Sequence, residues 1–81
     1  MIKVNFTNHA KDMLNERQFT EEEIISALSE RDWSENDEIE TEIWHAFKKI
    51  DEKVLRVVVK GREEPYIIIT MFYDKRLRNR K

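Results

Sequence analysis

Ile2-Lys3-Val4-Asn5-Phe6 alternates apolar and polar side chains, the period of a strand with Ile2, Val4 and Phe6 on one face. The period then changes. Thr7 and Asn8 offer helix caps, and Ala10, Met13 and Leu14 follow at helical spacing, which predicts a short amphipathic helix from His9 to Arg17. Arg17 projects close to that apolar stripe. A second helix starts more sharply: Thr20 can cap the first amides, Glu23 can reach back to close a capping box, and Phe19 can staple against Ile24. Glu21, Glu22 and Glu23 also favour the positive end of its dipole. This helix runs through Ile24, Ile25 and Leu28 and fades near Arg31.

Asp32 to Glu42 is acidic and without period, which predicts a loop leading into a strand. Residues 43–50 fit either a strand or a helix, because Ile39, Ile43, Phe47 and Ile50 also suit helical spacing. The segments Val54 to Lys60 and Tyr66 to Tyr73 are rich in β-branched and aromatic residues, and Gly61 to Pro65 separates them as a hairpin loop does. Taking 43–50 as a strand completes a meander. The prediction is an α+β fold: a short N-terminal strand and two helices packed on a three- to four-stranded antiparallel sheet. Residues 1–74 make one domain, and 75–81 a basic, frayed tail.

Register decides which side chains share a face. A three-residue loop at 51–53 would pair Ile50 with Val54, and a five-residue loop at 61–65 would pair Lys60 with Tyr66. One face then carries Ile43, His45, Phe47, Leu55, Val57, Val59, Ile67, Ile69, Met71 and Tyr73, and the helices cover it. The other carries Trp44, Lys48, Arg56, Lys60, Tyr66 and Thr70 with Ala46, Val58, Ile68 and Phe72. Cations interleaved with aromatics can hold phosphates and stack bases, so this open face is the candidate surface for single-stranded nucleic acid. The same pattern also serves simply to keep an exposed sheet face soluble.

Charge sharpens the picture. The net charge of −2 conceals an acidic stretch of −6 at residues 30–47 and a basic half of +6 at 48–81, which is compatible with an anionic partner. Absence of cysteine removes disulfides and thiolate zinc sites, and no apolar run approaches a membrane span, so a cytoplasmic protein is expected. His9 and His45 lack metal-site spacing, which points to no metal and no cofactor. Ser26 and Ser29 have no base nearby, and Gly61 is the sole glycine, which excludes hydrolytic triads and phosphate-cradling loops. His9, at the start of the first helix, can exchange a proton or merely cap the helix.

Phe6-Thr7-Asn8-His9-Ala10, Arg17, Thr20-Glu21-Glu22-Glu23-Ile24, Leu55 to Lys60 and Ile69 to Tyr73 together resemble domain-of-unknown-function family 4258, over about Phe6 to Tyr73. That family looks related to small RelE- and BrnT-like toxins, whose fold sets two helices against a three- or four-stranded antiparallel sheet. The resemblance implies a metal-independent endoribonuclease encoded beside an antitoxin. His9 would match the family's histidine, Arg17 the arginine before its second helix, Arg56 the basic residue of its central strand, and Thr70 and Tyr73 the end of its last strand. Two positions depart: Met13 stands where the family has an arginine, and Gln18 where it has a glycine. Residues and resemblance together nominate His9, Arg56 and Tyr73 for catalysis and Arg17, Trp44, Lys48, Lys60, Tyr66 and Thr70 for RNA binding. RNA and an antitoxin protein are the expected partners. The alternative is a non-catalytic interaction domain, or a homodimer, that uses the same face.

Overall fold

A computed structural model describes residues 2–78. The chain order is β1 (Val4–Phe6), α1 (Asn8–Arg17), α2 (Glu21–Ser29), β2 (Trp33–Asn36), β3 (Ile43–Ile50), β4 (Lys53–Lys60) and β5 (Tyr66–Arg78). The strands form one sheet in the order β1-β5-β4-β3-β2, antiparallel except where β1 lies parallel to β5. The α+β fold agrees with the sequence pattern, with one strand more than predicted. That strand, β2, forms inside the acidic stretch read as a loop. Its alignment with β3, Trp33 opposite Phe47 and Glu35 opposite His45, is held at one end by the Asp32 amide donating to the Phe47 carbonyl at 2.8 Å.

Both helices lie on one side of the sheet, α1 over β5 and β1, and α2 over β3 and β4. Thr7 accepts from the Ala10 amide at 3.0 Å to cap α1, and its hydroxyl donates to the Ile69 carbonyl at 3.3 Å, which ties the helix start to β5. At the other end Gln18 adopts a left-handed conformation (φ 60°), with its amide donating to Asn15 and the Phe19 amide to Leu14. These two bonds make a Schellman arrangement and turn the chain directly into α2. The capping box of α2 is complete: Thr20 accepts from the Glu23 amide at 3.1 Å, and Glu23 accepts from the Thr20 amide at 2.9 Å.

Residues 43–50 are a strand, but in a register that the loop-length argument misses. The β3–β4 loop has two residues, Asp51 and Glu52, so Ile50 pairs with Lys53 and Phe47 with Arg56. Asp51 supplies the positive φ (55°) that so short a hairpin on twisted strands requires. One residue of slip inverts β3. Trp44, Ala46 and Ile50 pack beneath the helices, whereas Ile43, His45 and Phe47 face away. Pattern alone could not choose between these registers, since each face of β3 carries two or three apolar residues and a lysine.

A second correction concerns β5. Lys60 pairs with Ile67 and Val59 with Ile68, but Val58 pairs with Thr70, so Ile69 is an inserted residue. The bulge puts Tyr66 and Ile68 on the helix side and Ile67 outside, while Met71 and Tyr73 keep their predicted inward orientation. The strand then continues past the predicted boundary at residue 74. Leu55 pairs with Tyr73 and Lys53 with Arg78, so Val54 alone stands opposite residues 74–77, which form an excursion from the sheet. The predicted frayed tail is thus strand through Arg78, and residues 79–81 lie outside the described part. Gly61 leaves β4 at φ +98°, a conformation that favours glycine, and its amide donates to the Glu42 carbonyl at 2.9 Å. The helix-side core comprises Ala10, Leu14, Ile24, Ala27, Leu28, Trp44, Ala46, Leu55, Val57, Val59, Ile68 and Met71.

Candidate functional site

The cationic, aromatic surface predicted from the sequence does not assemble. Lys48 pairs with Leu55 and therefore stands on the helix side, whereas Arg56 and Lys60 point the other way. Lys48 approaches Asp32 at 3.8 Å. Trp44 is buried: its indole N–H donates to the Gly61 carbonyl at 2.7 Å, its ring meets Tyr66 edge-on at 5.9 Å, and Arg31 lies over it at 5.1 Å. Trp44 and Tyr66 do meet, but as core. Tyr73 packs on Phe19 at 5.4 Å beneath the helices, on the opposite side of the sheet from Arg56. His9 and Arg17 are exposed at the two ends of α1. Of the nominated residues, Arg56, Lys60 and Thr70 share the open face.

A different constellation forms there. Phe47 is fully buried although no helix covers it. The ring of Trp33 stacks on it from β2 at 4.7 Å and 6°, and the Arg56 guanidinium lies 4.7 Å from its centroid on β4. Phe72, 6.0 Å from the same guanidinium, extends the row onto β5. Four strands thus contribute Trp33, Phe47, Arg56 and Phe72 to one ladder of flat groups.

His45 stands two residues before Phe47 on the same face, its ring 6.5 Å from that of Phe47. Its Nε2 lies 2.9 Å from Asp37 Oδ1. The other oxygen of Asp37 accepts from the amides of Glu40 (3.0 Å) and Ile39 (3.2 Å). Those contacts, the Glu40 amide foremost and His45 next, lower the Asp37 pKa from 3.8 to about 2. An ionised Asp37 can only accept, so Nε2 carries the hydrogen and a neutral ring keeps its lone pair on Nδ1. Among the described residues that Nδ1 has no partner, and neither has Arg56 Nε; both are buried.

Asp74, 4% exposed, completes the group. It forms an ion pair with Arg56, whose Nη2 lies 3.3 Å away, and accepts hydrogen bonds from the amide, Nε and Nη2 of Arg76 at 3.0, 3.2 and 3.2 Å. The hydrogen bonds from Arg76 lower its pKa and outweigh the opposing effect of burial. Asp37, His45, Arg56, Asp74 and Arg76 line one open cleft of about 520 Å³, with Glu35 and Glu38 on its rim. A histidine held by a carboxylate beside a fixed guanidinium can move a proton next to a bound anion. Among the described residues no cluster of histidine and carboxylates fits a metal ion. No helix there is long and apolar enough to cross a membrane.

Sequence reasoning missed His45 because the assumed loop length sent it inward. Asp37 was hidden in a stretch read as structureless, although Asp37-Glu38-Ile39-Glu40 has the composition of a turn in which an aspartate binds amides two and three residues on.

The fold and site define a small α+β domain, with two helices on one side of a five-stranded sheet and a polar cleft on the other. Residues 6–73 match the family described as Domain of unknown function (DUF4258), and the chain belongs to it. No curated protein and no solved structure gives a significant match.

Proposed function

We propose that this domain binds single-stranded RNA on its open sheet face and cleaves it without a metal ion, in the manner expected of a RelE- or BrnT-like toxin, with an antitoxin protein as its partner. The observation that carries the reading is the Asp37–His45 pair in one cleft with Arg56. The Nδ1 of His45 is buried, so cleavage needs the ring to swing within its Asp37 contact until Nδ1 reaches the cleft, where it takes the proton of a ribose 2′-hydroxyl. The freed oxygen attacks phosphorus, Arg56 holds the added negative charge, and the 5′-oxygen leaves with a proton from solvent. The products are a 2′,3′-cyclic phosphate and a 5′-hydroxyl. Bases stack on the exposed parts of the Trp33 and Phe72 rings. Since Glu35 and Glu38 repel phosphate at the β2 side, the strand approaches over β4 and β5, where Lys60 and Thr70 share the face.

The test is incubation of purified protein with labelled single-stranded RNA and DNA of one sequence at low salt. RNA is cut to cyclic-phosphate ends and DNA is not; uncut, unbound RNA overturns the proposal. Arg56→Lys, which keeps the charge but loses the planar fork, lowers the rate. One observation favours the second reading, a non-catalytic interaction domain. Ile39 is 85% exposed among Asp37, Glu38, Glu40 and Glu42, a surface suited to a basic partner protein.

A further inference from the structure

Asp74 is the one charged side chain buried among the described residues, and nothing in the cleavage chemistry above uses it. A carboxylate taken out of water is costly unless it is well paired, and even then an apolar replacement is often as stable. Stability alone therefore accounts poorly for its place. Its position is specific: Arg56 pairs with Phe72, and Asp74 stands two residues on, where β5 departs from the sheet opposite Val54.

Its bonds divide unevenly. Both oxygens accept hydrogen bonds from Arg76, whose side chain is 78% exposed, while Arg56 makes an ion-pair contact through Nη2 alone. The guanidinium of Arg56 is thus held at one corner by Asp74 and across its plane by Phe47 at 4.7 Å. Its Nε–H has no acceptor among the described residues. An arginine fixed in this way loses less rotamer entropy when it takes an anion than a free one does. Without Asp74, the carboxylates left in the cleft are those of Glu35, Asp37 and Glu38, all from β2 and the turn after it.

We infer that Asp74 is a positioning residue, which clamps the Arg56 guanidinium so that its terminal Nη donors are presented to a phosphodiester in the cleft. This rests on the RNA reading for the identity of the anion, though the clamping itself does not.

The experiment is a double-mutant cycle, with binding of a fluorescein-labelled, uncleavable 2′-O-methyl RNA oligonucleotide read by anisotropy and folding read by thermal melting. Asp74→Asn weakens binding about tenfold, Arg56→Ala by a similar factor, and the double variant by no more than Arg56→Ala alone, with melting temperatures that do not track the loss. Asp74→Glu restores part of the affinity. Losses that add, or Asp74→Asn that binds as well as or more tightly than the wild type, overturn the inference; tighter binding would mean that Asp74 competes with phosphate. The NMR signal of Arg56 Nε–H separates the two levels and covers a poorly folded Asp74→Asn, because Arg76→Ala can be read in the same way. If the wild type binds no oligonucleotide, the RNA reading fails. The clamp then stands if the Nε–H signal is protected in the wild type and exchanges faster in either variant, and falls if it is unchanged in both.

Discussion

Asp37 and His45 are eight positions apart in the chain and 2.9 Å apart in the fold, and their contact fixes which imidazole nitrogen can accept a proton. Asp37 is the residue that makes this contact depend on pH. Its folded pKa of about 2 lies below the ordinary 3.8, so the carboxylate contributes stability that is complete above about pH 4 and is lost as the pH falls towards 2. Urea denaturation at a series of pH values between about 5 and 2 therefore shows falling stability in the wild type and a shallower fall in Asp37→Asn. Equal slopes would mean that the turn and the His45 contact do not form in solution. Arg56 illustrates the other lesson of this scale. Its place on an open face was legible, but its orientation was not, because Phe47 and Asp74, which hold it, reach it only through the register.

At the scale of elements, local signals were readable and pairing was not. The capping box Thr20-Glu21-Glu22-Glu23 reports on neighbouring residues alone, and it forms as the sequence implies. Thr20→Ala removes the acceptor for the Glu23 amide and costs about 1 kcal/mol in denaturant unfolding. The corner before it carries strain that a substitution can relieve. Gln18 holds φ 60° with a side chain that disfavours it. Gln18→Gly accordingly stabilises the fold by about 0.5–1 kcal/mol, the relief of the left-handed conformation exceeding glycine's entropic cost; a destabilised variant contradicts this account of the corner. The strands are different. β3 has nearly balanced faces, so its orientation is settled by whether the hairpin loop has two residues or three, and Asp51 in the left-handed region was the only local hint. The bulge at Ile69 left no comparable trace in a run of three isoleucines.

The molecule as a whole separates its charge, with −6 in residues 30–47 and +6 in 48–81. β2 and its following turn bring the acidic part to one rim of the cleft, whereas Arg56, Lys60 and Arg76 come from the basic half. Under the proposed function this polarity predicts few phosphate contacts, made over β4 and β5. With roughly three cations engaged, the logarithm of the binding constant falls against the logarithm of salt with a slope near −2, about 0.7 per phosphate on single strands. A slope near zero would remove the electrostatic part of the proposal.

In the proposed mechanism the chemistry resides on the open face of the sheet, at His45, and not at the helix start where His9 stands. Cleavage of one single-stranded RNA by wild type, His45→Ala and His9→Ala decides it, with circular dichroism confirming that each variant is folded. Loss of roughly 10²–10⁴ in rate for His45→Ala alone, with His9→Ala cutting like the wild type, is the predicted result. A folded His45→Ala variant that cleaves at the wild-type rate contradicts it.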